Sequence, residues 1–226
     1  MRRALALALC CAAFPAAAES VWIGGASVAK QTHVGYLGRI APLPGKSLSD
    51  GWSQSVFVDY VGYEYPSGAR LVEGTVRGIK LGIGREFRRE YGYVGLGLGV
   101  STSKTTLSPD DPSNANRGTR VHPVGELQWR SNADAAWRSR AFAQHVFGAR
   151  RSYANAFVGR RFANGMALGP QWSTGGDPTY RIHGLALALD GVRVGKLDLG
   201  IYAGAQHSEG GDTRPEFGIS VSMYRE

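Results

Sequence analysis

Cysteine is nearly absent from this chain: the only two in 226 residues, Cys10 and Cys11, both fall within the first eighteen. The rest therefore has no disulfide framework and no thiolate metal site. After Ala18 no apolar run approaches the roughly 20 residues that a membrane-crossing helix needs. There is no heptad pattern, no block of like charge and no Pro/Ser linker, so a single unit over residues 19–226 is expected. Collagen is excluded as well, because the 32 glycines follow no three-residue period. The basic excess is mild, a formal charge of +8. It is not clustered enough to argue for nucleic acid.

The opening MRRALALALCCAAFPAAAES has the layout of a secretory signal. Arg2 and Arg3 are its positive start, Ala4 to Phe14 its apolar stretch, and Ala16-Ala17-Ala18 a small-residue cleavage site. A lipoprotein signal fits less well, since Leu9 precedes Cys10 where a small residue belongs. Cleavage after Ala18 removes both cysteines, and the charge falls by two to +6 as Arg2 and Arg3 leave.

From there the dominant period is two. In YVGLGLGVS, Val94, Leu96, Leu98 and Val100 share one parity, and Gly95, Gly97, Gly99 and Ser101 the other. Strand side chains alternate between faces, so one face is aliphatic and the other nearly bare. GIKLGIGREF, GLALALD and GKLDLGIYAG repeat the arrangement. A soluble sandwich would make its second face charged and solvated. A small-residue face suits the crowded inside of a barrel, with the aliphatic face turned to lipid. A closed barrel is also the only sheet that crosses a bilayer, because it leaves no unpaired edge.

Aromatics gather near segment ends, as interfacial belts require: Tyr60, Tyr63, Tyr65, Tyr91 and Tyr93, with Trp52, Trp129, Trp137 and Trp172. Turn signals divide the chain into about twelve strands, with ten to fourteen as the bracket. They fall near 20–29, 33–41, 52–64, 72–87, 91–104, 118–130, 137–147, 152–162, 166–173, 180–190, 196–207 and 215–224. Phe162-Ala163-Asn164-Gly165 and Asp190-Gly191 read as short hairpin connections, and Thr105 to Arg117 as a long outward loop. The fold class expected is all-β, a single antiparallel transmembrane barrel.

Several candidate sites fail on chemistry. Lys104-Thr105 after the glycines invites a phosphate loop, but Ser103 stands where that motif needs glycine, and Pro109 and Pro112 exclude the helix that must follow. His207, Ser208 and Glu209 invite acyl hydrolysis, yet adjacent strand residues point to opposite faces. Asp110, Asp111, Asn114 and Asn116 offer oxygen ligands without EF-hand spacing or its bidentate Glu, and read as a solvated turn. His33, His122, His145 and His183 show no ligand spacing. No catalytic residue, cofactor or metal site is assigned. Polar groups on the small-residue face, Lys80, Glu126, Gln128, Lys196 and Asp198, are lumen-lining candidates, with Tyr202 beside them. They fill the barrel as an ion-paired plug or wet a passage through it.

The segments GYLGRIAPLPGKSLSDGW with YVGYEYP, YGYVGLGLGVSTSKTTLSPDDPSNANRGTRVHPVGELQW, and YANAFVGRRFANGMALGPQWSTGGDPTYRIHGLALAL together resemble the cellulose biosynthesis protein BcsS family. The resemblance covers most of the chain after the signal. It departs at Gln171, where an acidic residue is expected after Gly169-Pro170, and the end Met223-Tyr224-Arg225-Glu226 lacks the terminal aromatic common in outer-membrane barrels. The resemblance implies a non-enzymatic bacterial outer-membrane barrel that accompanies a cellulose synthase and secretion apparatus. Its implied partners are outer-membrane lipid, the cellulose chain and other components of that apparatus. An outer-membrane lipid-modifying hydrolase, a general porin or scaffold, and a soluble ligand-binding barrel are the alternatives.

Overall fold

The computed structural model describes residues 19–48, 51–114, 116–178, 180–209 and 211–225, so the signal reading for residues 1–18 lies outside them. Twelve strands follow in order. They are β1 (Ser20–Ala29), β2 (Thr32–Pro42), β3 (Gly51–Ser67), β4 (Arg70–Arg89), β5 (Gly92–Ser108) and β6 (Gly118–Ser131), then β7 (Trp137–Val146), β8 (Arg151–Arg161), β9 (Ala167–Asp177), β10 (Tyr180–Val194), β11 (Leu197–Ser208) and β12 (Thr213–Arg225). Each pairs antiparallel with the next, and β1 pairs with β12 from Ser20↔Arg225 to Ala29↔Glu216, which closes the sheet. Closure satisfies every strand edge. The start of β1 and the end of β12 share one rim, here the terminal rim; the opposite rim is distal.

Pairing register sets two faces. Leu96, Leu98 and Val100 of β5 point outward, beside Leu81 and Ile83 of β4. Leu98 is 68% exposed and Leu185 64%, whereas among the described residues the buried apolar cluster is Phe157, Ala167 and Ala188 with Tyr202 against it. Aliphatic exposure on this scale is unfavourable in water and favourable in lipid. All five tryptophans, Trp22, Trp52, Trp129, Trp137 and Trp172, stand at outward register positions, the first four near the terminal rim.

The tyrosines divide. Tyr60 points outward and Tyr91 sits in a turn, but Tyr63, Tyr65 and Tyr93 face the lumen, which corrects their expected place in an outer belt. The physical reason is parity: Tyr60 and Tyr63 are an odd number of residues apart, so one strand sends them to opposite faces.

Two turn expectations also change. Asp190-Gly191 is a β-bulge within β10, where Gly191 takes φ 82° and the register with β11 shifts. The extra residue bends the strand without ending it. The reversal comes at Gly195, φ 60°, and Lys196. The long β5–β6 loop shrinks to 109–117, because Thr105 to Ser108 continue β5 against Glu73 to Val76.

Candidate functional site: the barrel lumen

The inner face divides into two walls. The first is ionic and runs along β4, β6 and β7 and across to β10 and β11. Lys80 of β4 pairs with Glu126 of β6 and donates to Gln144 of β7 at 2.8 Å, with its ammonium 4.6 Å from the Phe57 ring centre. Arg130 donates to Glu86 at 2.7 Å and lies over Tyr93. Near the terminal rim Arg138 reaches across the lumen, its Nε 2.8 Å from Asp190 Oδ2 and its Nη2 3.4 Å from Asp198 Oδ2. Arg140 Nε lies 3.5 Å from the same Asp190 oxygen, an ion-pair contact without hydrogen-bond alignment. A buried charge is tolerated only when paired in this way.

The second wall is aromatic and is built on glycine. Each ring lies over the glycine directly opposite it on the neighbouring strand: Tyr36 over Gly25, Phe57 over Gly38, Tyr63 over Gly74 and Tyr202 over Gly218. A Cβ on Gly25 would come within 2.7 Å of the Tyr36 hydroxyl, and one on Gly38, Gly74 or Gly218 would enter the ring itself. The glycines thus let the rings lie flat against the wall from β11 round to β4. This is the cross-strand rescue of glycine by an aromatic neighbour. Tyr202 also donates to Glu216 at 3.4 Å.

At the distal rim the β5–β6 loop is tied into the mouth. Asp111 accepts from the Ser113 hydroxyl at 2.6 Å and from the Tyr65 phenol at 2.8 Å. These hydrogen bonds hold its carboxyl at about 2, below the ordinary 3.8. Asn114 donates to the Tyr65 oxygen at 3.0 Å, and Asn116 to Asp177 of β9 at 2.8 Å. Of the oxygen atoms considered as calcium ligands, those of Asp111 accept from Tyr65 and Ser113, Asn114 Oδ1 accepts from the Asn116 amide at 2.9 Å, and Asp110 pairs with Arg117 at 3.2 Å. Beside it opens a cavity of about 320 Å³, lined by Asn116, Arg120, His122, Arg150 and Asp177 among others.

Of the residues singled out from sequence, Lys80 and Glu126 meet in the ionic wall, and Asp198 stands at its Arg138 end. Gln128 faces inward opposite Gly95, and Tyr202 belongs to the aromatic wall. Lys196 does not join them: it lies exposed in the β10–β11 turn, because the reversal falls one residue before β11 begins. His207 points outward against Thr213 at 3.2 Å, Ser208 takes the inner register, and Glu209 faces Arg181 in the turn, so the three do not converge.

Sequence reasoning missed Arg130, Arg138, Arg140 and Asp190. Asp190 was read as part of a turn, and for Arg138 and Arg140 the small-residue parity was taken as the inner one, a rule that β7 and β8 reverse. There Ala141, Ala143, Ala154 and Ala156 face outward, and Arg140, Phe142, Gln144 and Tyr153 face the lumen. The available signal was volume, since strands as bare as β4 and β5 need bulky neighbours to fill the space they leave.

Comparisons agree with this architecture. A KdgM porin superposes with a TM-score of 0.52 at 8% identity, covering 91% of this chain and 99% of that one. The same porin in complex with disordered oligogalacturonate gives 0.51 at 8%, with the same coverage. The β domain of the Bordetella autotransporter BrkA gives 0.46 at 15%, covering 91% and 99%. At 8% identity the likeness to the porin is one of fold, a barrel of the outer-membrane type. No curated protein sequence matches the chain. The family signature of the cellulose biosynthesis protein BcsS matches residues 21–225, and the chain belongs to that family.

Proposed function

We propose that this protein is a non-enzymatic accessory barrel of the bacterial outer membrane that serves cellulose production or export, and that its aromatic wall is the surface a glucan chain touches. The observation that carries this reading is the set of flat rings on glycine seats. Glucose rings present apolar C–H faces that stack on exposed aromatic faces, while their hydroxyls seek hydrogen-bond partners. The ionic wall opposite supplies such partners. The signal read over residues 1–18 delivers the chain for export, and protein recovered from the outer membrane is expected to begin at Glu19. Separation of His207 and Ser208 onto opposite faces supports a non-catalytic role.

The deciding experiment has two parts. Deletion of the gene should reduce extracellular cellulose under producing conditions, read by dye binding; unchanged cellulose would defeat the pathway assignment. Tyr36→Ala with Tyr202→Ala should reproduce the loss while the barrel still reaches the outer membrane in heat-modifiable form. Cellulose unaffected by that pair, but lost on deletion, favours a second reading that the ionic wall supports: a side-chain-filled barrel acting as a scaffold.

A further inference from the structure

Outside the lumen, one patch of the wall carries charge that the protein does not balance. Arg77 of β4 and Lys104 of β5 are direct cross-strand partners, and both are exposed on the outer face. Side chains so placed start about 4.5–5.5 Å apart at Cβ, and like charges there repel. The ion pairs among the described residues include neither. Toward the distal rim the next outward carboxylate on β4 is Glu73, four residues along, about 13 Å at the strand rise. It faces another carboxylate, Glu64, across the ladder.

The depth of the pair is informative. The register row just toward the terminal rim is Val58, Ile79, Thr102 and Val121, the edge of the outward apolar band. The row of the pair itself runs Tyr60, Arg77, Lys104 and Thr119. Two basic side chains and a tyrosine thus stand one side-chain step beyond the apolar edge, at headgroup depth. Outward arginines near the terminal rim are disposed differently: Arg39 lies 6.0 Å from the Trp22 ring and Arg85 5.8 Å from Trp52.

We propose that Arg77 and Lys104 form a binding site for the phosphate of an anionic lipid in the leaflet at the distal rim, an inference that rests on the membrane-wall reading of the barrel. An arginine fork takes two phosphate oxygens and a lysine ammonium a third, so one dianionic group relieves the repulsion and satisfies both cations. Tyr60 borders the site from β3, where its ring meets the sugar or glycerol portion of a headgroup.

The test uses the full chain solubilised in detergent. It is titrated with diphosphorylated lipid A, with the same glycolipid after phosphatase treatment, and with inorganic phosphate, and binding is read as protection of the heat-modifiable form. Arg77→Gln with Lys104→Gln should weaken lipid A binding about 30-fold, from the surface attraction of two cations. Arg85→Gln should leave it unchanged. Equal binding by the double variant, or by the phosphatase-treated lipid, overturns the proposal. Saturation by inorganic phosphate at lipid A concentrations overturns its lipid component. Flotation of the wild-type chain with vesicles is run alongside: failure to insert sinks the membrane reading itself, whereas insertion without phosphate dependence sinks only this site.

Discussion

The Tyr65 phenol donates a 2.8 Å hydrogen bond to the Asp111 carboxylate, 46 residues further along the chain. Through that contact the end of β3 holds the β5–β6 loop in the mouth of the barrel. Ser113 and Tyr65 together keep Asp111 ionised down to about 2. A carboxyl lowered in the folded state contributes its stabilisation fully above its unfolded value of 3.8 and loses it as pH falls toward 2. Amide hydrogen exchange within residues 109–117 should therefore stay slow at pH 4 and accelerate, relative to its intrinsic rate, toward pH 2. Asp111→Asn should exchange readily throughout and serves as the reference for the intrinsic pH profile of exchange. Equal acceleration in both proteins would contradict the anchoring role.

Lys80 and Glu126 are a part-buried pair, each side chain only 12% exposed. Lys80→Met should destabilise the barrel by about 3–5 kcal/mol, since Glu126 is left charged and unpaired. Lys80→Met with Glu126→Leu should recover most of that loss. The guanidinium midpoint of barrel unfolding in detergent measures both, and a double variant no better than the single would refute the pairing.

Ring-on-glycine seating gives a sharper contrast. Gly218→Ala should cost about 1–3 kcal/mol by overpacking against Tyr202. Gly35→Ala should be nearly silent, because nothing lies within 4 Å of the added Cβ. Tyr202→Ala should rescue Gly218→Ala, a coupling that unfolding midpoints of the four proteins will show or deny.

Which face meets lipid is open to direct test. Leu98→Lys, on the outer face, should cost about 2–4 kcal/mol if it lies near the bilayer centre. Ser103→Lys, five residues along on the inner register, should not. Folding yield into vesicles, read by gel mobility before and after heating, ranks the two. A larger penalty at Ser103 would invert the assignment of faces.

Much of this was legible along the chain. Alternation of Leu96 and Leu98 with Gly95, Gly97 and Gly99 is a local property of one strand, and it sufficed for the barrel class, as the turn signals between segments did for the strand count. Phe162 to Gly165 was readable as a connection for the same reason: the amide of Phe162 bonds the carbonyl of Met166 four residues away. Asp190-Gly191 was misread because a hairpin turn and a β-bulge ask for the same left-handed glycine, and only the partner strand distinguishes them.

The lumen was legible only in part. Lys80, Glu126 and Asp198 were visible as polar residues on a bare face, but not their partners, since Lys80 and Gln144 are 64 residues apart. The scattered histidines show the same limit. His33, His145, His183 and His207 carry no shared spacing, yet the fold sets all four outward near the distal rim, each beside a hydroxyl of an adjoining strand.

The sequence by itself determined which residues share a face, because side-chain direction along a strand depends only on parity. It did not determine which residues meet across strands, because that depends on register, and register is a property of two segments joined by closure. Lys104 marks the boundary between the two. Alone it is a lysine after a run of glycines, without the loop that would cradle a nucleotide. Set opposite Arg77 by the pairing of β4 and β5, it becomes half of a cationic pair at the edge of the apolar band.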